Sequence, residues 1–386
     1  MDKILLRRPG RVLAGHNWIF SNELASSPKK FAPGSLIEVR GMKDEFIGIG
    51  YINPNSLIAI RLLTRKPETI DSDFFRNRII GALEYRKSLG IQGDSFRAVF
   101  SEGDFLPGLI VDKYGDCLVL QFLTYGMEAM KEIIIPLLDE ILAPSSIVLK
   151  NDSQSRTLEG LPAYKELIKG SLDKLPLIHE GRVSFEIDPL TGQKTGFFLD
   201  QRENRLAFAE MVHEGVGLDL FCYSGAWGLQ AAKKGLKVKF VDDSEPALAQ
   251  VRLNAKRNDL EDNCDYLKAD VFNFLADEVK ACRKYDFIVL DPPAFVKNKL
   301  KIREALRGYR EINSLAMQLL NEGGMLATSS CSYHVDRATF IEMLRDSARD
   351  SRRQFRLVDY RLQGRDHPVL LSMPETEYLK CAFLRF

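Results

Sequence analysis

Three stretches of the sequence carry residue types at spacings that could do chemistry. The first, LDLFCYSGAWG at residues 218–228, is an apolar run that breaks at small residues and then resumes. This pattern predicts a buried strand, a tight turn and a helix packed back on the sheet. Gly225 and Gly228 would let the backbone approach a ligand, and Asp242, ending the next strand, could accept both hydroxyls of a ribose. A turn made only for packing is the alternative.

The second stretch is LDPPAF, in which Asp291 precedes two prolines. Proline restricts φ and lacks an N–H donor, so the chain should leave its strand rigidly, with Asp291 held at the strand end. The carboxylate and Phe295 could then bind a flat base, with Pro292 and Pro293 beside it. A stiff turn without a binding role is the alternative.

The third stretch, TSSCSYH at residues 328–334, places Cys331 just beyond another predicted strand. If that strand neighbours the one ending at Asp291, the thiol stands beside this carboxylate. A thiolate there could add to C6 of a pyrimidine and make C5 a nucleophile able to take a methyl group. Most lone cysteines are small buried hydrophobic residues, which is the alternative, and Cys222 is expected to pack inside the glycine turn.

Alternating strand and helix patterns from residue 191 to the C-terminus predict a parallel, doubly wound α/β sheet. Seven strands are predicted, at residues 217–221, 237–241, 264–269, 287–290, 324–329, 355–360 and 378–386. A seventh strand that ends the chain indicates the reversed hairpin typical of methyltransferases. Ligands of such sheets bind outside the carboxyl ends of the strands, where Asp219, Asp242, Asp270 and Asp291 fall.

The N-terminal half has shorter elements. Short strands punctuated by turns predict a small β barrel or sandwich over residues 1–70 and a central α+β domain over 71–190. A helix is expected over residues 71–90, and a run at 184–187 is expected to complete the central unit. The first domain holds a basic and aromatic cluster suited to phosphate and base stacking: Arg7, Arg8, Arg11, His16 and Trp18. Alternatively, Trp18 fills the core and the arginines are merely exposed.

Length and composition indicate an ordinary soluble protein of two or three domains, with 386 residues and 54 Lys and Arg against 53 Asp and Glu. Residues 1–70 hold 11 basic and 6 acidic side chains, a net of +5, and residues 297–310 hold six basic residues against Glu304. Either segment could meet a polyanion or be a solvated face. Six cysteines without a CxxC pair predict a reducing cytoplasm and no metal site, and no stretch reaches the ~20 apolar residues of a membrane span.

An ordered set of motifs resembles the S-adenosylmethionine-dependent ribosomal RNA large-subunit methyltransferase I family. The motifs are PGLIVDKYGD, GQKTGFFLDQRENR (192–205), DLFCYSGAWG, VDDSEPAL, LDPPAF and SSCSYH. The resemblance covers essentially the whole chain and implies an N-terminal PUA-like RNA-binding barrel, a central linking domain and a class I (Rossmann-like) methyltransferase domain over 191–386. It also implies a homodimer that makes 5-methylcytosine in large-subunit (23S) ribosomal RNA through a Cys331–C6 adduct.

The resemblance implies roles for particular residues as well. Those expected to line the cofactor are Asp219, Phe221, Tyr223, Ser224, Gly225, Asp242, Asp243, Asp270 and Asp291, with Asp270 near the adenine. Cys331 is the expected nucleophile, and Asp291 the group that polarises N3 of the base. Lys194, Phe198 and Arg202 are expected to close over cofactor or base, although Arg202 and Arg205 could instead contact phosphate.

Other assignments stay open at this point. Other RNA cytosine-C5 methyltransferases carry a second cysteine in the DPP-like motif, where this chain has Ala294 and Phe295, so product release needs another base. A DPP followed by an aromatic also resembles enzymes that methylate exocyclic amines, and relatives include a guanine-N7 methyltransferase. An NAD dehydrogenase is disfavoured because the glycine turn lacks GxGxxG, and a non-catalytic RNA-binding protein because every expected acidic position is filled.

Overall fold

The chain forms two compact units that interleave in sequence. A computed structural model describes residues 1–91, 93–295 and 302–386. The first unit comprises Met1–Ile178, Ile187–Leu199 and Arg365–Thr376, and the second comprises His179–Glu186, Asp200–Gly364 and Glu377–Phe386. The division at residues 70 and 190 stays a prediction.

The N-terminal part of the first unit is a five-stranded sheet. Its strands are β1 (Asp2–Leu6), β2 (Trp18–Phe20), β3 (Leu36–Gly41), β4 (Phe46–Ile52) and β5 (Ile58–Thr64), with the short helix α1 at Gly10–Leu13. The order is β1-β3-β4-β5-β2, with β1 and β3 parallel and the other neighbours antiparallel. Burial alternates along β3, as period-two side chains require, and Leu6, Ile37 and Ile60 lie in the core.

A second five-stranded sheet completes the first unit. Its strands are β6 (Ser95–Phe100), β7 (Leu109–Tyr114), β8 (Cys117–Phe122), β9 (Ser146–Asn151) and β10 (Tyr164–Lys169), and its helices are α2 (Ser72–Ser88), α3 (Tyr125–Ala129), α4 (Lys131–Leu142) and α5 (Gln154–Leu158). Helix α2 confirms the helix predicted over 71–90. Asp71 Oδ1 caps it by accepting a hydrogen bond from the Phe74 N–H at 3.0 Å, and Phe75 and Ile79 enter the core.

The run at 184–187 does not complete the central unit, so that prediction was wrong. Strand β12 (Val183–Glu186) pairs instead with β11 (Leu177–Glu180) in a two-stranded hairpin. Its backbone is satisfied by two asparagines distant in sequence, because Ser184 N donates to Asn258 Oδ1 at 2.8 Å and Glu186 N to Asn254 Oδ1 at 3.1 Å. Strand β10 takes the edge of the central sheet, and its mostly exposed side chains explain why no apolar pattern marked it.

The second unit is built on a seven-stranded sheet, as predicted. Its strands are β13 (Val216–Leu220), β14 (Lys237–Asp242), β15 (Cys264–Lys268), β16 (Tyr285–Leu290), β17 (Leu320–Ser330), β18 (Arg356–Arg361) and β19 (Lys380–Arg385). The order is β15-β14-β13-β16-β17-β19-β18. The terminal strand β19 runs antiparallel to both β17 and β18, which confirms the predicted reversed hairpin.

Helices alternate with these strands. They are α6 (Arg202–Met211), α7 (Ala226–Ala232), α8 (Glu245–Arg257), α9 (Val271–Lys280), α10 (Ile302–Leu319) and α11 (Arg337–Ser351). Leu290, Tyr309 and Leu326 are fully buried in the core that these helices form with the sheet. Each such side chain contributes about 1.5–3 kcal/mol by leaving water. Among the described residues, no helix is long and apolar enough to cross a membrane.

The N-terminal basic and aromatic cluster is largely paired within the first unit. Three of its members each bind a glutamate: Arg11 binds Glu23 at 3.1 Å, His16 binds Glu375 at 3.2 Å, and the Trp18 indole N–H donates to Glu102 at 2.8 Å. His16 is buried and Trp18 is part-buried. These contacts favour the structural alternative for the three residues.

Candidate active site

The sheet brings four predicted site segments to one edge. The residues aligned in register near the ends of adjacent strands are Leu220, Val241, Leu290 and Thr328. Asp242 ends β14, Asp291 follows β16 and Cys331 follows β17. Because these four strands are parallel, their carboxyl ends meet, and the three side chains belong to neighbouring segments of one edge.

The turn after β13 has an unusual backbone. The angle φ is 58° at Phe221, 47° at Tyr223 and 74° at Gly225, all in the left-handed region. Non-glycine residues adopt this region at a cost of about 1–3 kcal/mol each, and such strain is concentrated at functional sites. Hydrogen bonds tie the turn to β14, because Phe221 N donates to Val241 O at 3.0 Å and Tyr223 N to Asp242 Oδ2 at 3.1 Å.

The reason predicted for the two glycines needs correction. A Cβ atom on Gly225 would lie 2.7 Å from Val251 Cγ1, and one on Gly228 would lie 2.5 Å from Phe240 Cε1. Such distances are far below van der Waals contact, so a side chain at either position would push α7 away from its neighbours. The space beside both glycines is filled by the protein core. Contact between Gly225 and the cofactor stays a prediction.

Asp219 is a buried carboxylate with one unsatisfied oxygen. Its side chain is in β13, the residue is 1% exposed, and Oδ2 accepts a hydrogen bond from Gly228 N at 2.8 Å. Oδ1 is buried and has no hydrogen-bond partner among the residues that the structure describes. Burial raises the pKa of Asp219 well above its usual value, and the charges of Asp291 and Asp242 raise it further.

Asp242 is suited to bind two hydroxyl groups. Its Oδ1 accepts a hydrogen bond from Ser244 N at 3.0 Å, and its Oδ2 accepts the bond from Tyr223 N. A carboxylate oxygen has two lone pairs, so one acceptor site remains on each oxygen. Burial raises the pKa of Asp242, while the two backbone N–H groups lower it.

Three other predicted cofactor residues follow strands β13, β14 and β15 along the chain. Ser224 is buried, and its carbonyl accepts a hydrogen bond from Asn254 Nδ2 at 3.0 Å. Asp243 is exposed and follows Asp242. Asp270 is exposed and caps α9 by accepting a hydrogen bond from Asn273 N at 2.9 Å. Capping accounts for Asp270 as a structural residue, and its approach to an adenine stays a prediction.

This set of side chains fits S-adenosylmethionine, the cofactor implied by the motifs. That molecule carries a sulfonium and an ammonium group, both cationic. Asp219, whose pKa is raised by burial and by the charges of Asp291 and Asp242 and which has an unsatisfied buried oxygen, favours a cationic ligand over a neutral one. Asp219 would hold a positive group and Asp242 the ribose hydroxyls. In the described parts of the chain, no group of His, Cys, Asp and Glu is arranged to hold a metal ion.

Asp291 is held by two residues that sequence analysis did not predict. The Trp227 indole N–H donates to Oδ2 at 3.0 Å, and Gln201 Nε2 donates to Oδ1 at 3.1 Å and also to Ser329 Oγ at 3.0 Å. Burial raises the pKa of Asp291, the charge of Asp200 raises it further, and the bonds from Trp227 and Gln201 lower it. The carboxyl group is therefore fixed in place, with its pKa above the usual value.

The residues after Asp291 differ in burial. Pro292 is buried and Pro293 exposed. The ring of Phe295 is part-buried, with its centroid 4.6 Å from that of Tyr309 and 6.0 Å from that of Phe272. Packing thus already accounts for Phe295, and contact of these three residues with a base stays a prediction.

Cys331 lies beside a buried lysine. The cysteine is part-exposed, whereas Lys380, the first residue of β19, is 2% exposed. Lys380 Nζ donates hydrogen bonds to Ser332 O at 2.7 Å and Tyr378 O at 2.9 Å. Burial lowers the pKa of Lys380 to about 8, although the electrostatic interaction with Cys331 raises it. Two carbonyl groups thus hold an ammonium group within electrostatic range of the thiol.

Two arginines that were candidates for polyanion contact are ion-paired instead. Arg205 is buried, and its Nε donates to Glu180 Oε1 at 2.6 Å, so the alternative of phosphate contact is wrong for this residue. Arg310 binds Asp350 at 2.6 Å, and this carboxylate neutralises one positive charge of the basic segment 297–310. Residues 297–301 of that segment lie outside the described residues.

Three predicted substrate residues lie in or near the 192–205 motif. Lys194 is exposed, with Nζ 4.4 Å from the ring centroid of Phe198, and both residues belong to the first unit. Arg202 is part-buried and begins α6 in the second unit. Their contact with cofactor, base or phosphate stays a prediction.

Weak signals for the missed residues exist in the sequence. Trp227 lies inside the glycine-turn motif, and Gln201 inside the 192–205 motif. Lys380 is a charged residue within the apolar run of the last strand, and a charge in a buried strand requires a local reason. No local pattern, however, connects any of them to Asp291 or Cys331.

Two protein families match parts of the chain. A PUA-like domain matches residues 7–65, and a family described as Conserved hypothetical protein 95 matches residues 203–345. Among relatives, the ribosomal RNA large subunit methyltransferase I of Shewanella denitrificans is 38% identical over 385 residues, covering 97% of this chain and 96% of the relative. That of Shewanella frigidimarina has the same identity and coverage.

Solved structures support the fold. A methyltransferase complexed with SAH superposes with a TM-score of 0.87 at 19% identity, and a SAM-dependent methyltransferase from Streptococcus mutans with 0.85 at 19%. Both comparisons cover 100% of each chain, which confirms the predicted combination of a PUA-like domain and a class I methyltransferase sheet. Given 38% identity over almost its whole length, the chain belongs to the ribosomal RNA large subunit methyltransferase I family of S-adenosylmethionine-dependent enzymes.

Proposed function

We propose that this enzyme transfers a methyl group to C5 of a cytosine in large-subunit ribosomal RNA. The observation that carries the proposal is the position of Cys331 and Asp291 after adjacent parallel strands, at the edge that holds Asp219 and Asp242. A thiol beside a base-binding carboxyl suits a pyrimidine carbon, which must be activated before it can accept a methyl group. The name of the relatives supports ribosomal RNA as the substrate.

The reaction balances with Cys331 as the nucleophile and a base that takes one proton. The target cytosine leaves its stack, and the Cys331 thiolate forms a bond from Sγ to C6, so that the C5–C6 π electrons make C5 nucleophilic. When bound, S-adenosylmethionine would supply the activated methyl group that C5 takes, with the S–CH3 bond broken and S-adenosylhomocysteine as the leaving group. A base then removes the C5 proton. The electron pair of the C5–H bond restores the C5–C6 double bond and expels Sγ as thiolate.

Asp291 has the environment of a group that donates a hydrogen bond to N3 of the base. Its raised pKa favours the protonated carboxyl, which can act as a donor. Trp227 and Gln201 hold the two oxygens, so the group is oriented before the substrate arrives. A hydrogen bond to N3 withdraws electrons from C6 and so helps the attack by Cys331.

Lys380 is a positioning residue in this proposal, because its ammonium group stabilises the Cys331 thiolate. The other groups that interact with this lysine are the carboxylates of Glu377 and Asp336, which help to keep it protonated. Tyr309 interacts with Cys331 from α10, and its pKa is raised mainly by burial. The tyrosine therefore stays neutral, and Lys380 supplies the positive charge at this position.

Lys380→Met is expected to make Cys331 less reactive at neutral pH. Without the ammonium group, the pH profile of Cys331 alkylation by iodoacetamide should move up by about one unit, a loss of about tenfold at pH 7. The difference should fade above about pH 8, because the wild-type lysine itself then loses its proton. Mass spectrometry of the peptide that contains Cys331 measures the rate.

Lys150→Met is the matched control. Lys150 is also buried, its Nζ donates to the carbonyls of Leu190 at 2.9 Å and Gly192 at 2.5 Å, and burial lowers its pKa. Both substitutions should reduce thermal stability, but only Lys380→Met should change the alkylation profile. An unchanged profile in Lys380→Met would remove the lysine from the mechanism.

The substrate assignment is tested by methyl transfer to undermodified ribosomal RNA. The full chain is incubated with labelled S-adenosylmethionine, and the RNA is digested to nucleosides for mass spectrometry. We expect 5-methylcytosine. A methylated guanine N7 or exocyclic amine would instead establish the alternative substrates, and no transfer by a protein that binds RNA would establish a non-catalytic role. A thermal midpoint that rises with S-adenosylmethionine but not with NAD separates methyltransferase from dehydrogenase.

The same resemblance leads us to propose a cytoplasmic homodimer. The cytosolic location agrees with cysteines that form no disulfide among the described residues. Sedimentation equilibrium at micromolar concentration measures the assembly state. A monomer mass at all concentrations would contradict the dimer.

A further inference from the structure

The first unit contains a cavity of about 420 Å³ that the proposed chemistry does not use. It is lined by the end of β5, the first turns of α2 and the loop that carries Phe105. Its polar and charged lining includes Asn17, Arg65, Lys66, Asn77 and Arg78, with Glu68 as its one carboxylate among the described residues. A pocket of this size accommodates one nucleotide.

Two arginines of this pocket lack an ion-pair partner. Arg65 is bound by His16 O at 3.0 Å and Asn17 Oδ1 at 3.1 Å, and Arg78 by Leu63 O at 3.2 Å. Within residues 1–91, 93–295 and 302–386, no carboxylate comes within ion-pair distance of either guanidinium group. Partial burial lowers the pKa of Arg78, and the charge of Glu68 opposes this change, whereas Arg65 is exposed.

Other arginines of the same unit are compensated. Four that are equally or more buried each bind a carboxylate: Arg61 with Glu159, Arg86 with Asp104, Arg97 with Asp112 and Arg156 with Glu128. A buried charge is usually paired, because an unpaired one loses its hydration and gains no ion pair that offsets this cost. Arg65 is exposed and Arg78 part-buried, so both guanidinium groups are accessible to an anion in the pocket, and Glu68 beside Arg78 offsets its charge only in part.

An exposed aromatic ring adjoins these arginines. The Arg78 guanidinium lies 5.1 Å from the ring centroid of Phe74 and 5.3 Å from that of Phe105. Phe105 is 43% exposed and adopts φ of 57°, a conformation that costs free energy for a bulky residue. The fold therefore exposes a large apolar ring beside the Arg78 guanidinium group. A flat base can stack on such a ring.

We propose that this pocket binds one nucleotide of single-stranded ribosomal RNA, outside the methyltransferase unit. Arg65 and Arg78 hold the phosphodiester group, and the base stacks on Phe105. Lys66 and Asn77 supply further donors to the backbone or base edge. The inference rests on the proposed RNA substrate but not on which base is methylated.

The double variant Arg65→Gln/Arg78→Gln is expected to bind RNA about tenfold more weakly. Filter binding of labelled, in vitro transcribed large-subunit ribosomal RNA to the full chain, at about 50 to 200 mM salt, measures the affinity and its salt dependence. The salt slope should fall by about one, because one phosphate contact is lost. Phe105→Asn should weaken binding by a similar factor with the slope unchanged, since asparagine tolerates the left-handed backbone but cannot stack.

Arg76→Gln is the matched control. Arg76 is two residues before Arg78 on α2 and binds Glu140 at 2.6 Å, so its charge is already compensated. Its loss should leave both affinity and salt slope as in the wild type. Every variant should keep the thermal shift produced by S-adenosylmethionine, which shows that it is folded.

A second measurement uses the wild-type chain alone. Phenylglyoxal modifies exposed arginines, and bound RNA should protect Arg65 and Arg78 but not Arg76. The proposal is overturned if the double variant keeps the RNA affinity and salt slope of the wild type, or if bound RNA does not protect Arg65 and Arg78. Both results would be expected if the pocket binds a protein segment instead. Nucleoside mapping tests the methylated base separately, so an unexpected base with weakened RNA binding in the variants would overturn only the cytosine assignment.

Discussion

Cys331→Ala is expected to lose methyl transfer to ribosomal RNA by roughly 10³-fold or more in kcat, in line with removal of a catalytic nucleophile. The thiolate is the only group in the proposed mechanism that makes C5 nucleophilic. Affinity for S-adenosylmethionine should not change, because the carboxylates that fit the cofactor are on other strands. The Lys380 ammonium keeps its two carbonyl partners, so the fold should also persist.

The covalent step can be observed directly with RNA that contains 5-fluorocytosine. After methyl transfer, fluorine at C5 cannot leave as a proton does, so the bond between Sγ and C6 cannot be broken by elimination. Wild-type enzyme should therefore remain attached to the RNA on a denaturing gel, in a manner that depends on S-adenosylmethionine. Cys331→Ala should give no attached product.

Two other cysteines serve as controls. Cys282 is exposed, and Cys282→Ser should behave as wild type. Cys222 is buried in the glycine turn, and burial raises its pKa well above the usual value, so Cys222→Ala should still form the adduct. A Cys331→Ala enzyme that makes 5-methylcytosine at the wild-type rate, or an adduct that disappears only in Cys222→Ala, would refute the assignment of the nucleophile.

Asp219→Asn is expected to weaken S-adenosylmethionine binding by about 10- to 100-fold. A hydrogen bond to a charged partner contributes about 1.5–3 kcal/mol, and the unsatisfied Oδ1 is the group proposed to bind a cationic part of the cofactor. The unliganded protein should be as stable as wild type or more so, because a neutral amide costs less to bury than a carboxylate. Calorimetric titration and thermal midpoints measure the two effects.

The pH dependence of this effect has a definite sign. The pKa of Asp219 is raised in the folded protein, so between the unfolded and folded pKa values the folded state binds more protons than the unfolded state. The stability of unliganded wild type from this group therefore falls as pH rises through that interval. Asp219→Asn lacks the titrating group, and its advantage over wild type should grow from pH 4 towards neutral pH.

Asp265→Asn is the control for charge removal. Asp265 is exposed on β15, so its loss should leave the cofactor affinity unchanged. If Asp219→Asn bound S-adenosylmethionine as tightly as wild type, the unsatisfied oxygen would not be a ligand contact. A large loss of stability in the unliganded variant would show that Asp219 serves only the fold.

Much of the methyltransferase sheet could be predicted because its signals are local. An apolar strand, a turn and an amphipathic helix each occupy a short window, and the last strand is likewise a short apolar run. The polar residues after β14, β16 and β17 could likewise be assigned to one edge, since parallel strands align their carboxyl ends. The prediction for the run at 184–187 was wrong because its partners, Asn254 and Asn258, are about 70 residues away along the chain and carry no strand signal.

The roles of single side chains depended on contacts that no window contains. Gly225 and Gly228 are in a motif typical of ligand turns, yet Val251 and Phe240 fill the space beside them. Arg205 is in a basic motif, yet Glu180 neutralises it in the interior. In each case the residue type permits two roles, and burial with a specific partner selects one.

The order of the elements, the family and the cofactor could be predicted from residue types at short spacings. The surroundings of Asp291 and Cys331 depend on the fold instead, because Trp227 and Gln201 reach Asp291, and Lys380 reaches Cys331, from 49 to 90 residues away. The fold likewise pairs three members of the cluster near Trp18 with glutamates, whereas Arg65 and Arg78 line a pocket. Side-chain charges act over a few ångströms in space, and folding brings together groups that spacing along the chain cannot relate.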